Sequence, residues 1–251
     1  NDRRRVMVAR TEGLIALDPD DMSGKFDSLA AWLSWLEAGH GAHIELGLER
    51  CREVAGNLGL GKPASTVITV AGTNGKGSSV ALLESVWRGA GYRVGTYTSP
   101  HLVRYNERIC VDGAETEDAT ICAAFESVES ARRGVPLTYF EFGTLAALKI
   151  FEQSSLDIAI LEVGLGGRLD AVNIVDSDVA LIAAIGLDHE DWLGSSREKI
   201  AIEKAGIMRP RRPVICSDNE VPESILATAE SIGSQAELLG VDYAFEDEET
   251  S

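Results

Sequence analysis

The stretch Val70-Ala71-Gly72-Thr73-Asn74-Gly75-Lys76-Gly77-Ser78 sets a glycine-rich turn, a lysine and a hydroxyl between an apolar strand and a helix. Residues 66–71 read as a buried strand, and residues 79–90 carry helical periodicity through Val80, Leu83, Val86, Trp87 and Ala90. Strand, tight loop and helix N-terminus follow one another in the order that nucleotide-phosphate binding requires. The glycines let the backbone turn its N–H groups onto phosphate oxygens, and the helix terminus adds partial positive charge; Lys76 can reach the terminal phosphates and Ser78 can contact Mg²⁺. The spacing departs from the usual P-loop, which places four residues between its first glycine and the Gly-Lys pair, with Ser or Thr directly after. Here two residues separate Gly72 from Gly75, and Gly77 intervenes before Ser78.

Outward from this loop, strands at residues 67–70, 94–97, 158–163, 179–185 and 214–216 alternate with helices at 79–90, 117–132, 141–152, 197–205 and 222–232. A further strand falls at 237–240. This alternation predicts an α/β fold, a three-layer sandwich with a mostly parallel central sheet and a P-loop. Two amphipathic helices, 26–36 and 44–58, precede it, joined by a turn at Gly39-His40-Gly41. Residues 1–25, with Arg3-Arg4-Arg5 and Asp18-Pro19-Asp20-Asp21, read as a polar, mobile extension, leaving residues 26–251 as the nucleotide-binding domain.

Composition narrows the function classes. Lys and Arg total 23 against 40 Asp and Glu, a net charge of −17 that repels a nucleic-acid backbone, so any nucleotide needs a local positive site. Hydrophobic residues make up 45% of the 251, enough for a large core. Cys51, Cys110, Cys122 and Cys216 show no short pairing, which argues for free thiols in a reducing cytoplasm rather than zinc or disulfides. No apolar run reaches the roughly 20 residues of a membrane span.

In a sheet of this kind ligands collect at the carboxyl ends of the strands. After residues 94–97 comes Thr98-Ser99-Pro100-His101-Leu102, hydroxyls and a histidine beside a rigid proline. Glu162 closes an otherwise apolar strand, where a Mg²⁺-holding carboxylate is needed; the alternative is a strand-end acid that caps a neighbouring helix. After the strand ending at Ile185 comes the polar cluster Gly186-Leu187-Asp188-His189-Glu190-Asp191. His189 is a metal ligand or a satisfied structural histidine. Tyr139 and Phe140 offer flat surfaces to a planar ligand, or pack as ordinary core ahead of a helix. Lys204, taken alone, is a helix-surface charge.

Six motifs together carry a family resemblance. The loop at 72–78, Thr98-Ser99-Pro100-His101-Leu102, Thr138-Tyr139-Phe140-Glu141-Phe142, the run Leu161-Glu162-Val163-Gly164-Leu165-Gly166-Gly167-Arg168-Leu169-Asp170-Ala171, Leu187-Asp188-His189 and Glu203-Lys204-Ala205-Gly206-Ile207 are similar, in order, to those of the bacterial bifunctional dihydrofolate synthase/folylpolyglutamate synthases of the Mur ligase superfamily. The likeness runs from Phe26 to Phe245, includes Ile44-Glu45-Leu46-Gly47-Leu48-Glu49-Arg50, and accounts for the shortened loop, which is the family's own form.

The resemblance implies an ATP-dependent ligase that phosphorylates the carboxylate of a pteroate or folate, after which the amine of L-glutamate attacks the acyl phosphate. It assigns ATP phosphates to Gly72, Thr73, Asn74, Gly75, Lys76, Gly77 and Ser78. Two Mg²⁺ ions fall to Ser99, Glu162, His189 and Lys204, with Lys204 carrying a CO₂-derived carbamate. Catalysis falls to Lys76, His189 and Lys204, and the pterin-bearing substrate to Thr138, Tyr139, Phe140, Glu141, Leu169, Asp170 and Ala171. A cytoplasmic monomer is expected. Family members are two-domain enzymes, and nothing after Phe245 could form the glutamate-binding carboxyl-terminal domain, so impaired turnover is expected of this chain alone. Two alternatives stay open: a peptidoglycan-precursor ligase of the same superfamily, and a non-catalytic nucleotide-binding fragment.

Overall fold

The computed structural model describes residues 6–10, 13–17, 26–40 and 45–245. Strands β1 (Val6–Arg10) and β2 (Gly13–Leu17) form an antiparallel ribbon of their own. Helices α1 (Leu29–His40) and α2 (Glu49–Leu58) lead into β3 (Ala64–Ala71), α3 (Lys76–Gly89) and β4 (Val94–Tyr97). Next come β5 (Ile109–Val111), β6 (Ala114–Glu115), α4 (Asp118–Arg132), α5 (Tyr139–Gln153) and β7 (Leu156–Glu162). The chain continues through β8 (Val179–Ile182), the one-turn α6 (Glu190–Leu193), α7 (Arg197–Ala205), β9 (Pro213–Cys216), α8 (Glu223–Ile232) and β10 (Gln235–Leu238).

Eight strands make one sheet in the order β10-β9-β8-β3-β7-β4-β5-β6. The first six run parallel, and β5 and β6 close the far edge antiparallel. β3 sits centrally, and its near-continuous apolar sequence follows from burial on both faces. Ile68 and Val70 pack with Val80 of α3, Val94, Ile158 and Ile160. Val67 and Ala71 join the larger core under α1, α2, α4 and α5. That core is knit by aromatic rings: Trp32–Phe125 centroids lie 5.8 Å apart, Trp35–Phe142 6.0 Å and Phe125–Phe142 5.3 Å. Each such ring, fully buried, contributes about 1.5–3 kcal/mol.

The predicted α/β sandwich is therefore present, with local corrections. Two short apolar runs inside the predicted extension pair as β1 and β2; the rest of residues 1–25 lies outside the described residues, as do Gly41, Ile44 and the acidic end at 246–249. The turn expected from Gly39 is helical there, since α1 continues through His40. Residues 45–48 are not helical, because α2 begins only at Glu49. β8 stops at Ile182, beyond which Ala184 accepts the N–H of Thr73 at 2.8 Å and ties the strand end to the glycine-rich loop.

Candidate active site

Because β8, β3, β7 and β4 are adjacent and parallel, the loops after them meet at one edge of the sheet. The loop after β3 is built for close approach. A Cβ on Gly72 would stand 2.8 Å from Cβ of Ala183, and Gly75 caps α3 in the left-handed region (φ 83°) where a side chain would be strained. Thr73 locks the loop to the end of β8: its hydroxyl donates to the Gly186 carbonyl at 3.1 Å and accepts the Gly186 N–H at 3.0 Å. Lys76 folds over the turn, donating to the carbonyls of Gly72 (3.0 Å) and Thr73 (3.3 Å). Asn74, Gly77 and Ser78 are exposed beside it at the mouth of α3. This is a cradle of N–H groups, a lysine and a helix N-terminus that suits phosphate.

Glu162 ends β7 and is buried, its Oε2 accepting the backbone N–H of Ser99 at 3.1 Å. Burial raises its pKa, against the Ser99 hydrogen bond and the charges of Lys76 and Arg108. His189, at φ 49°, caps α6 and is half-exposed, its Nε2 lying 3.6 Å from Oδ2 of Asp188. Lys204 is only 3% exposed, not the surface charge that sequence alone suggests. Desolvation, then the charge of Lys76, lowers its pKa to about 8, with Asp188 opposing.

Two cavities meet here. A small one of about 30 Å³ is lined by Gly72, Thr73, Lys76, Asp188, His189 and Lys204 among others. The second, of about 850 Å³, takes in Ser99, Thr138, Tyr139, Phe140, Glu141, Leu169, Asp170 and Ala171. Lys76 and His189 line both. Among the described residues no three His, Cys, Asp or Glu side chains stand close enough to hold a metal by themselves. A single carboxylate such as that of Glu162 suits the chemistry of Mg²⁺, which keeps several waters and takes phosphate oxygens as further ligands.

In the larger cavity, α5 owes its start to a capping box. Thr138 Oγ1 accepts the Glu141 N–H at 3.2 Å while Glu141 Oε2 accepts the Thr138 N–H at 2.7 Å. Arg50 closes on the other oxygen of Glu141 at 2.9 Å, so this buried carboxylate already has partners and chiefly shapes the wall. Asp170 is buried and accepts N–H groups from Leu165 (2.8 Å) and Val172 (3.0 Å). Desolvation outweighs those bonds and raises its pKa to about 6. Phe140 lies over Gly164, where a Cβ would come within 2.7 Å of the ring.

Sequence reasoning missed Glu37, Glu45, Leu46, Gly47, His101 and Arg108, all of which line this cavity. Glu45, Leu46, Gly47 and His101 lie in the motif segments but carry no assigned role there. Arg108 falls where a 3-10 turn passes into the three-residue β5, too short for any periodicity to single it out.

Fold and site thus define an α/β domain whose glycine-rich loop suits phosphate, with an adjoining aromatic cavity. A sequence model of the Mur ligase middle domain matches residues 70–247, and the chain belongs to that family. It is 54% identical over 217 residues to the dihydrofolate synthase/folylpolyglutamate synthase of Escherichia coli K12, covering 86% of this chain and 51% of that protein. The enzyme of the same name from Haemophilus influenzae is 50% identical over 218 residues, covering 87% and 50%. Among solved structures, Escherichia coli FolC in complex with DHPP and ADP superposes with a TM-score of 0.85 at 53% identity, over 88% of this chain and 54% of that one. A bifunctional folylpolyglutamate synthase/dihydrofolate synthase with Mn, AMPPNP and L-glutamate bound gives 0.82 at 51% identity, over 88% and 53%. The chain spans about half the length of these relatives.

Proposed function

We propose that this chain is the ATP-binding part of a cytoplasmic, monomeric ligase that joins L-glutamate to dihydropteroate and to folates through an acyl phosphate. The observation that carries the reading is the shared wall: Lys76 and His189 border both the phosphate-loop cavity and the aromatic one. A carboxylate held in the larger space therefore faces the terminal phosphate held by the loop, the in-line placement that phosphoryl transfer needs. Lys76 neutralises the transferring oxygens. Ser99, Glu162, His189 and Lys204 would hold Mg²⁺, which adds Lewis-acid stabilisation of phosphoryl charge. Burial keeps part of Lys204 as free amine, the form that takes up CO₂ as a carbamate. Tyr139 and Phe140 supply the flat walls a pterin requires.

Fluorescence titration tests the proposal. Saturable dihydropteroate binding, tightened by Mg-ATP, is expected. Preference for a nucleotide-linked muropeptide would instead make the chain part of a peptidoglycan-precursor ligase, and nucleotide binding indifferent to both would leave a non-catalytic module.

A further inference from the structure

Arg108 is 9% exposed, yet its only side-chain hydrogen bond among the described residues runs from Nε to Nδ1 of His101 at 2.8 Å. No carboxylate among the described residues forms an ion pair with it. Arg132, equally buried, is paired to Glu129 through two nitrogens, and the partly buried Arg50 to Glu141; Lys204, beside the phosphate loop, is the other buried cation without an ion pair among the described residues. The charge of Arg108 is felt by Glu162, which stands beyond ion-pair distance, so the guanidinium is buried with most of its hydrogen-bonding capacity unused, a costly state that an incoming anion would relieve.

The setting aims the guanidinium. Its Cζ lies 5.5 Å from the ring centroid of Tyr105 and 5.8 Å from that of Tyr139, and these two rings hold it from the side. With Nε engaged by His101, the two terminal nitrogens keep four N–H groups without a partner among the described residues. Arg108 lines the larger cavity together with Lys76, Ser99 and His101. His101, accepting at Nδ1, carries its own proton on Nε2, where it can donate. Of the acids of the same wall, Glu141 is committed to Arg50 and the Thr138 N–H, Glu45 to Arg50 and Asp170 to two backbone N–H groups, while Glu37 forms no ion pair among the described residues and none of the four pairs with Arg108.

We propose that Arg108 is the carboxylate receptor of the larger cavity, gripping the acceptor substrate's carboxylate through its paired terminal nitrogens and presenting it to the phosphate held by Lys76. The planar fork matches a carboxylate bidentately, which a lysine cannot do. This rests on the proposed folate-ligase reading and adds the residue that recognises the reacting group.

The test is equilibrium binding of three ligands: dihydropteroate, its carboxamide and 6-hydroxymethyl-dihydropterin, which lacks the benzoate. The wild-type protein should prefer carboxylate over carboxamide at least tenfold. Arg108→Gln should bring that ratio close to one while leaving affinity for carboxamide, hydroxymethylpterin and Mg-ATP unchanged; Arg108→Lys should restore only part of it. Equal wild-type affinity for carboxylate and carboxamide overturns the inference. So does a variant in which all three pterins weaken together, since Arg108 would then merely shape the cavity. Failure of any pterin to bind the wild-type protein removes the proposed function, and this inference with it.

Discussion

The backbone N–H of Ser99 donates to Oε2 of Glu162 at 3.1 Å, so the residue that follows β4 holds the carboxylate that ends β7. The bond joins two neighbouring strand ends and engages one oxygen of Glu162. It also explains how a carboxylate survives burial in an apolar strand: an amide dipole and two nearby cations offset part of the desolvation.

Glu162→Gln preserves shape and an acceptor for Ser99 but removes the charge. The fold should hold, while Mg²⁺-dependent nucleotide affinity falls at least about tenfold, roughly 1.4 kcal/mol. Because burial raises the pKa of Glu162, wild-type Mg-nucleotide binding should weaken with acidification at a higher pH than an ordinary glutamate would give. Calorimetric titration of Mg-ATP across pH reads both effects, and a variant with unchanged Mg²⁺ dependence would remove Glu162 from the site.

Gly164→Ala addresses the aromatic wall alone. The added Cβ would lie 2.7 Å from Cζ of Phe140, so the ring must move into the cavity. Dihydropteroate affinity should drop several-fold with Mg-ATP affinity retained, measured side by side by fluorescence. Equal loss of both would mean that the substitution disturbs the whole strand end.

The core of this arrangement was legible in the sequence because it is local. The run from Val70 to Ser78 contains its own strand, turn and helix start, and Glu162 stands out as the acid at the end of an apolar strand. Lys204 was not legible from pattern: its helix looks amphipathic, and only tertiary packing shows that the amine is buried among Gly72, Thr73 and Asp188. Arg108 was missed for another reason, since it precedes β5 and β6, which have three and two residues and exist by pairing, β5 against β4 and β6 against β5. The helix expected from residue 44 fails at 45–48, where Glu45, Leu46 and Gly47 turn to line the cavity instead of continuing α2.

Asp170 makes stability depend on pH with a definite sign. Its folded pKa of about 6 lies above the unfolded value of 3.8, so the folded state binds more protons between these values and loses stability as pH rises through them. The loss is complete above about pH 6 and amounts to about 3 kcal/mol. Asp170→Asn cannot titrate. Urea denaturation of both proteins from pH 4 to 7 should show the wild-type advantage over the variant shrinking by about that amount as pH rises; a constant gap would mean that Asp170 titrates normally.

Lys204 offers the most direct chemical test. With its pKa lowered to about 8 by burial and by Lys76, about a tenth of the amine is neutral at pH 7, compared with well under a thousandth for an ordinary lysine. Neutral amine is the form that adds CO₂, so protein equilibrated with ¹³C-bicarbonate at pH 8 should give a carbamate carbon signal by NMR. Lys204→Arg, which stays charged, should lack it. Below about pH 6 the wild-type signal should vanish as the amine protonates and the carbamate decomposes. Carbamate creates an anion beside His189, so the signal should strengthen when Mg-ATP is added. A wild-type spectrum with no carbamate in the presence of Mg-ATP would leave Lys204 as a buried cation facing the phosphates directly, and Lys204→Gln should then weaken ATP binding without any dependence on bicarbonate.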